Sequence, residues 1–280
     1  MSLYIRKLKE YVFNFKKSEL QKVITKFDKD NNLFLNASFA DLPEPLEMLD
    51  QINFKHLYLY INLSQENGKK FESAYFNKFN KKIVTLFEKS GYLAYDFEKL
   101  PNIEELEIYH HKNTKNYNKL FNLRYLRINK YDKKDLTEFK DLTNLDELIL
   151  SQGNVENINS IENLSNLKIL WLGYFKNLTI NEKYKFNSIE ELVLTSCPNI
   201  DLEILPKVFP NLKKLTLINF KEIKTLKPIF EKLKKLEEFN FAESKLLEND
   251  NKYWKNYPNV DINFSNQKDF TFKRKDFGLS

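Results

Sequence analysis

Seven segments of the chain share one apolar pattern, and no other feature restricts the fold as much. They are IEELEI from Ile103, LRYLRI from Leu123, LDELIL from Leu145, LKILWL from Leu167, IEELVL from Ile189, LKKLTL from Leu212 and LEEFNF from Leu236. Each reads apolar-x-x-apolar-x-apolar. All 21 template positions are apolar in a chain that is 42% hydrophobic, an outcome with a chance probability on the order of 10⁻⁸. The last apolar positions are 108, 128, 150, 172, 194, 217 and 241, so the unit recurs every 20 to 24 residues. A unit this short cannot bury its apolar side alone, but stacked copies can. The alternation at the end of each segment has the period of a strand, so the pattern predicts short parallel strands stacked one per unit.

Weaker copies extend the array. LKEYVF (Leu8 to Phe13), NLFL (Asn32 to Leu35), LYLYI (Leu57 to Ile61), KIVTL (Lys82 to Leu86) and VDINF (Val260 to Phe264) supply further strand patterns, giving about 11 or 12 units. The segment LTNLDELILSQGNVENINSIENL, Leu142 to Leu164, resembles the 22-residue repeat of internalin-like leucine-rich-repeat proteins. LVLTSCPNI puts Cys197 where that family uses Asn or Cys. The resemblance implies an α/β repeat solenoid, a horseshoe with a parallel β-sheet on its concave face and irregular or short helical segments on the convex side. It also implies that the side chain at the Cys197 position caps loop backbone from inside. The other units depart from the family there, with His111, Tyr131, Gly153, Phe175, Phe220 and Ser244. The family's asparagine ladder is therefore missing, and aromatics are expected to fill its space.

Between strands the chain must return along the outer side. TLKPIFEKLKKL (Thr225 to Leu236) suits a helical turn with Pro228 early. FESAYFNKFNK (Phe71 to Lys81) suits a longer helix, and KKSELQKVITKF (Lys16 to Phe27) carries Ser18 and Gln21 at capping-box spacing. ENINSIENL reads as irregular or 3₁₀. Terminal units need covers with a polar outer side. The expected organisation is an N-terminal cap over 1–30, a solenoid over 31–265 and a C-terminal cap or tail over 266–280.

Composition narrows the function by exclusion. Five glycines leave no G-x-x-x-x-G-K-[ST] and no G-x-G-x-x-G, and no serine lies in G-x-S-x-G. His56, His110 and His111 are the only histidines, and the adjacent pair points to opposite sides of an extended chain. Neither a metal site, a cofactor nor catalysis is expected. The single cysteine, Cys197, cannot form a disulfide within the chain and suits a reducing compartment. The first residues, MSLYIRKLKEYVFNF, show no apolar leader, and no run approaches a membrane span. A cytoplasmic protein is the expectation. The Asn-, Lys- and Ile-rich composition resembles that of bacterial chains from AT-rich genomes.

The residues between template positions face solvent. On the strand of Leu170 and Leu172 these are Ile169, Trp171 and Gly173, with Ile149 and Val193 at the equivalent of Trp171 on either side. An aromatic there, ringed by smaller apolar residues, has the composition of a binding hot spot. Over the seven strands and their flanks the concave side carries ten acids and six bases, on a chain of net charge +6. An acidic concavity attracts basic partners and repels phosphate backbones. The expected function is non-catalytic protein binding on this face, of the inhibitor, immunity or host-factor-binding kind. Trp171 is the anchor, Ile149, Ile169 and Val193 its apolar surround, and Glu147 and Glu191 its acidic rim. Tyr125, Arg127 and Tyr174 are supporting contacts. The alternatives are nucleic-acid binding by the basic, aromatic-interleaved edge from His110 to Lys134, and a homodimer through the Trp171 patch.

Overall fold

The structure, a computed structural model, describes residues 32–36, 55–62, 79–248, 251–265 and 273. The cap over 1–30, the segment LKEYVF and the helix expected over Lys16–Phe27 lie outside these residues. So do the tail beyond 265, residue 273 apart, and all but the last three residues of Phe71–Lys81, which form a turn.

Each of the seven apolar-x-x-apolar-x-apolar segments from Ile103 to Phe241 yields a strand, and weaker copies supply four more among the described residues. In chain order these are β1 (Asn32–Asn36), β2 (His56–Ile61), β3 (Ile83–Glu88), β4 (Glu105–Tyr109), β5 (Tyr125–Tyr131), β6 (Glu147–Gly153), β7 (Ile169–Gly173), β8 (Glu191–Thr195), β9 (Lys214–Ile218), β10 (Glu238–Ala242) and β11 (Asp261–Phe264). The chain divides into two compact units, Met1–Ile128 and Asn129–Ser280. In each unit the strands follow one another in the sheet as they do in the chain, and the pairings are parallel. This is an open sheet of leucine-rich-repeat type.

In the second unit Leu148, Leu170, Leu192 and Leu215 stand in register, as do Leu150, Leu172, Leu194 and Leu217. All eight are fully buried, and each such leucine stabilises the fold by roughly 1.5–3 kcal/mol. At the end of each strand from β5 to β10 one residue takes a left-handed backbone. Lys130, Gln152, Tyr174, Ser196, Asn219 and Glu243 have φ of 51° to 63°, each two residues after its last template position. That turn swings the next side chain inward, which is why Tyr131, Phe175, Cys197 and Phe220 are buried. Aromatics thus occupy the interior place that the family gives to asparagine.

The returns are short. Asn159–Ile161 is a 3₁₀ turn. Leu205–Val208 (α1) and Lys227–Lys232 (α2) are single helical turns, and Pro228 lies in the first turn of α2. Glu248 caps α2 from the following unit. Its carboxylate accepts from the Leu226 N–H at 2.8 Å, the Thr225 hydroxyl at 2.7 Å and the Tyr253 hydroxyl at 2.7 Å.

Candidate functional site

One sheet face of the second unit is turned away from the leucine core, and the register orders it into rows. The middle row runs Ile149, Trp171, Val193, Thr216, Asn240, Asn263 from β6 to β11. Neighbouring strands lie about 4.8 Å apart, so consecutive members touch. Trp171 and Val193 are half-buried, whereas Ile149 is only 5% exposed. Ile149 was expected on the surface. Its register neighbour carries an indole wide enough to lie against it, so it acts as a wall for Trp171 more than as free contact area.

Ile169 lies on the same face two residues before Trp171 and is half-buried. Gly173 follows two residues after, where an added Cβ would meet nothing nearer than the Ser151 and Thr195 Cβ atoms, each at 3.7 Å. Tyr174, in the left-handed turn, is 55% exposed at the C-terminal edge of β7, and its N–H donates to the Thr195 carbonyl at 2.7 Å. Glu147 and Glu191 open β6 and β8 in register on either side of Ile169. The structure therefore gathers Trp171, Ile149, Ile169, Val193, Glu147 and Glu191 on one face, with Tyr174 at its edge.

The acids of this face are less bare than a count suggests. Lys213 and Lys168 reach the Glu190 carboxylate at 2.7 and 3.7 Å, and Lys214 reaches Glu238 at 3.0 Å. The Lys213 hydrogen bond holds the Glu190 carboxyl below its ordinary range. Hydrogen bonds from Asn240 and Lys214 do the same for Glu238, and Glu238 in turn raises Lys214.

Tyr125 and Arg127 belong to the first unit, where the outward positions are not the solvated sites that alternation predicts. Tyr58, Thr85, Phe87, Glu105, Glu107 and Tyr125 are each at most 9% exposed. Large rings crowd this face, and Phe87 and Tyr125 meet edge to face at 6.4 Å. The Glu107 carboxylate lies 3.3 Å from Lys89 Nζ and 4.0 Å from Arg127 Nε, and Lys89 also sits 5.6 Å over the Tyr60 ring. Tyr125 is thus a packing residue, and Arg127 is engaged with Glu107.

Cys197 is fully buried, with its Sγ 3.4 Å from the Thr195 carbonyl and 3.7 Å from that of Leu172, and burial raises its thiol. Sequence spacing assigned the interior loop place on β4's unit to His111. The structure buries His110 there instead, its Nδ1 2.9 Å from the Tyr117 hydroxyl. Among the described residues there is no group of three His, Cys, Asp or Glu placed to hold a metal, and no helix long and apolar enough to cross a membrane.

Two features escaped the sequence pattern. Asn102, Asn122, Asn166 and Asn211 each precede a unit's first template residue, and each donates its side-chain amide to a carbonyl of the preceding unit. The acceptors are Lys81 (2.8 Å), Pro101 (3.2 Å), Thr143 (2.8 Å) and Asn187 (2.8 Å). Ser188 does the same with its hydroxyl toward Leu164, at 2.9 Å. An asparagine ladder exists after all, at the strand entrance rather than inside the loop. The second feature is Glu88, which pairs in register with Ile108 and is wholly buried at a template place.

No protein-family model matches the chain, and no curated protein sequence does. Solved structures do. An internalin from Listeria monocytogenes superposes with a TM-score of 0.55 at 13% identity, over 90% of each chain. A leucine-rich-repeat protein from Leptospira interrogans gives 0.52 at 17% identity, over 91% of this chain and 82% of that one. Identity this low speaks for fold alone. By repeat, register and architecture, the chain has the internalin-like leucine-rich-repeat fold.

Proposed function

We propose that the chain is a non-catalytic protein-binding module whose second unit holds its partner on the open sheet face around Trp171. The observation that carries this is a half-buried indole standing in register between Ile149 and Val193, with Ile169 on its own strand. The sheet beneath is fixed by leucine columns, so the patch is preorganised and loses little entropy on binding. A central Trp with aliphatic neighbours and a charged rim suits a hot spot. The acids at the strand starts favour a basic protein, as an inhibitor, immunity or host-factor-binding role in the cytoplasm would require. The same acids disfavour nucleic acid on this face.

The test is affinity capture from a lysate of the source cell, comparing wild type with Trp171→Glu and reading bound proteins by mass spectrometry. A protein held by the wild type and lost with a variant that still unfolds cooperatively supports the reading. Identical captures would sink it. Steeply salt-dependent RNA or DNA in both captures would move the site to the basic edge.

A further inference from the structure

The sheet face around Trp171 is buried more deeply than the side chains of its own rows account for. The row beside that of Trp171 reads Ser151, Gly173, Thr195, Ile218, Ala242 in strand register. Gly173 has no side chain to shade its neighbour, yet Thr195 is only 6% exposed. Ile218 and Ala242, farther along the row, are half-buried. The Thr195 hydroxyl is sealed from solvent and makes no hydrogen bond among the described residues. In the Trp171 row, Ile149 is 5% exposed, although an indole beside it covers a flank and not the top. Asp146 and Glu147 at the start of β6 are half-buried, whereas Lys214 and Glu237 at the starts of later strands are exposed. The extra burial is concentrated on β6 to β8 and fades toward β11.

We propose that the stretch 266–280 of the chain itself lies on this face over β6 to β8 and masks the Trp171 patch until a partner displaces it. Beyond the described residues, the second unit contains only Asn249, Asp250 and this stretch around Lys273. Lys273 is half-buried, which a lysine standing in solvent is not. The composition matches the face. Phe270 and Phe272 alternate with Thr271, so in an extended segment both rings turn to one side and suit the aliphatic floor of Ile149, Ile169 and Val193. Lys273, Arg274 and Lys275 follow and suit the acids that open β6. The main chain of such a segment offers the Thr195 hydroxyl a partner. The reach suffices. From Ser265 to Lys273 eight extended residues span about 26 Å, and β7 stands four strand spacings, about 19 Å, from β11. A tethered segment competes at an effective concentration on the order of millimolar, so only a partner that binds the face well removes it.

Masking rests on the proposed binding role of the patch, whereas the cover itself does not. Trp254 is only 1% exposed, so the emission open to acrylamide quenching is that of Trp171. The full chain carrying Phe270→Asp and Phe272→Asp together, shown to unfold cooperatively, is expected to be quenched severalfold more than wild type. So is a chain ended at Ser265, and the free 266–280 peptide, but not a scrambled one, is expected to restore its protection. Unchanged quenching in the double variant overturns the cover, whether or not the shortened chain folds. A second readout stays in the full chain. Lys273→Cys is labelled with bimane, which a nearby tryptophan quenches, while buried Cys197 stays unlabelled. Relief of that quenching by Trp171→Phe and not by Trp254→Phe is expected, and emission indifferent to Trp171→Phe overturns the cover. Protection that wild type loses on dilution gives the face to a second copy of the chain and overturns it too. The two readings fail separately. If the cover fails while Trp171→Glu still loses a captured protein, the patch stands as an unmasked site. If the cover holds and capture ignores Trp171→Glu, the partner reading falls and the stretch is a structural part of the face.

Discussion

The backbone of Gly153 lies so close to Tyr131 that a Cβ on the glycine would stand 2.0 Å from the tyrosine's carbonyl oxygen. Gly153 has φ of 130°, a region closed to other residues. Neighbouring units fill the equivalent place with Tyr131, Phe175 or Cys197. Here the preceding turn's carbonyl takes the space, and the Asn154 N–H donates to the same oxygen at 3.0 Å. Gly153→Ala is expected to cost about 2–4 kcal/mol, seen as a lower urea midpoint. Gly173→Ala, whose Cβ meets nothing nearer than 3.7 Å, is expected to fold at least as stably as wild type.

The strand-entrance ladder yields a graded series. Asn166 donates to Thr143 at 2.8 Å, so Asn166→Asp removes the donor and sets a carboxylate against a carbonyl. Roughly 1 kcal/mol is expected to be lost. Asn166→Ser should lose less, because Ser188 already makes the equivalent bond to Leu164 with a hydroxyl. Chemical denaturation of the two variants side by side decides it. No loss in Asn166→Asp would mean that the bond contributes nothing.

Glu88 makes the stability depend on pH. Burial pushes its carboxyl above the ordinary range, against the lowering effect of donors from Ser90 and Gly91. The folded chain therefore holds this proton at pH values where the unfolded chain has released it. The contribution favours folding below the ordinary glutamate range and is lost as pH rises through the folded-state value. Glu88→Gln keeps an acceptor for Ser90 and Gly91 and removes the titration. The difference in stability between variant and wild type should grow from mildly acidic to neutral pH. A pH-independent difference would contradict the assignment.

Cys197 reports on opening of the array. Its thiol is buried and protonated at neutral pH, so a thiol reagent should label the native chain at least about a hundredfold more slowly than the urea-unfolded chain. Rapid native labelling would mean that the β8 loop opens independently of the core.

The left-handed positions at the ends of β5 to β10 are occupied without a single glycine. Gln152, at φ 59°, is a fair test. Gln152→Val is expected to destabilise by about 1–2 kcal/mol and Gln152→Asn to be neutral or stabilising. The natural Asn219, at the same turn two strands after Tyr174's, shows the favoured residue.

How much of this was legible follows from which physical signals have a period. Strands β4 to β10 were readable because burial of Leu106, Leu148 or Leu170 demands an apolar residue at every second place. The weaker β1, β2, β3 and β11 followed by the same rule. The single-turn α2 was announced by Pro228. Glu88 was invisible because its local donors, Ser90 and Gly91, are what make a carboxylate tolerable at a template place. The asparagine ladder was hidden by abundance, since Asn102 and Asn166 look no different from the chain's many other asparagines. The outward parity of Trp171, Ile169 and Val193 could be read from alternation. The burial of Glu105, Glu107 and Tyr125 could not, because it depends on the width of rings on neighbouring strands.

The rows of the open face stay in register although the residues between their members vary. Ile149, Trp171 and Val193 are spaced by 22 residues, Thr216 follows after 23 and Asn240 after 24. All of the slack is taken up on the returns. One residue added between Asn181 and Lys185 would lengthen a return and leave every side chain of the face where it is. One residue added inside Ile169–Gly173 would exchange inside for outside, driving the indole into the core and a leucine into solvent. The chain therefore keeps a two-state frame in its strands and no frame between them, and insertions of equal length are silent or ruinous according to which stretch receives them.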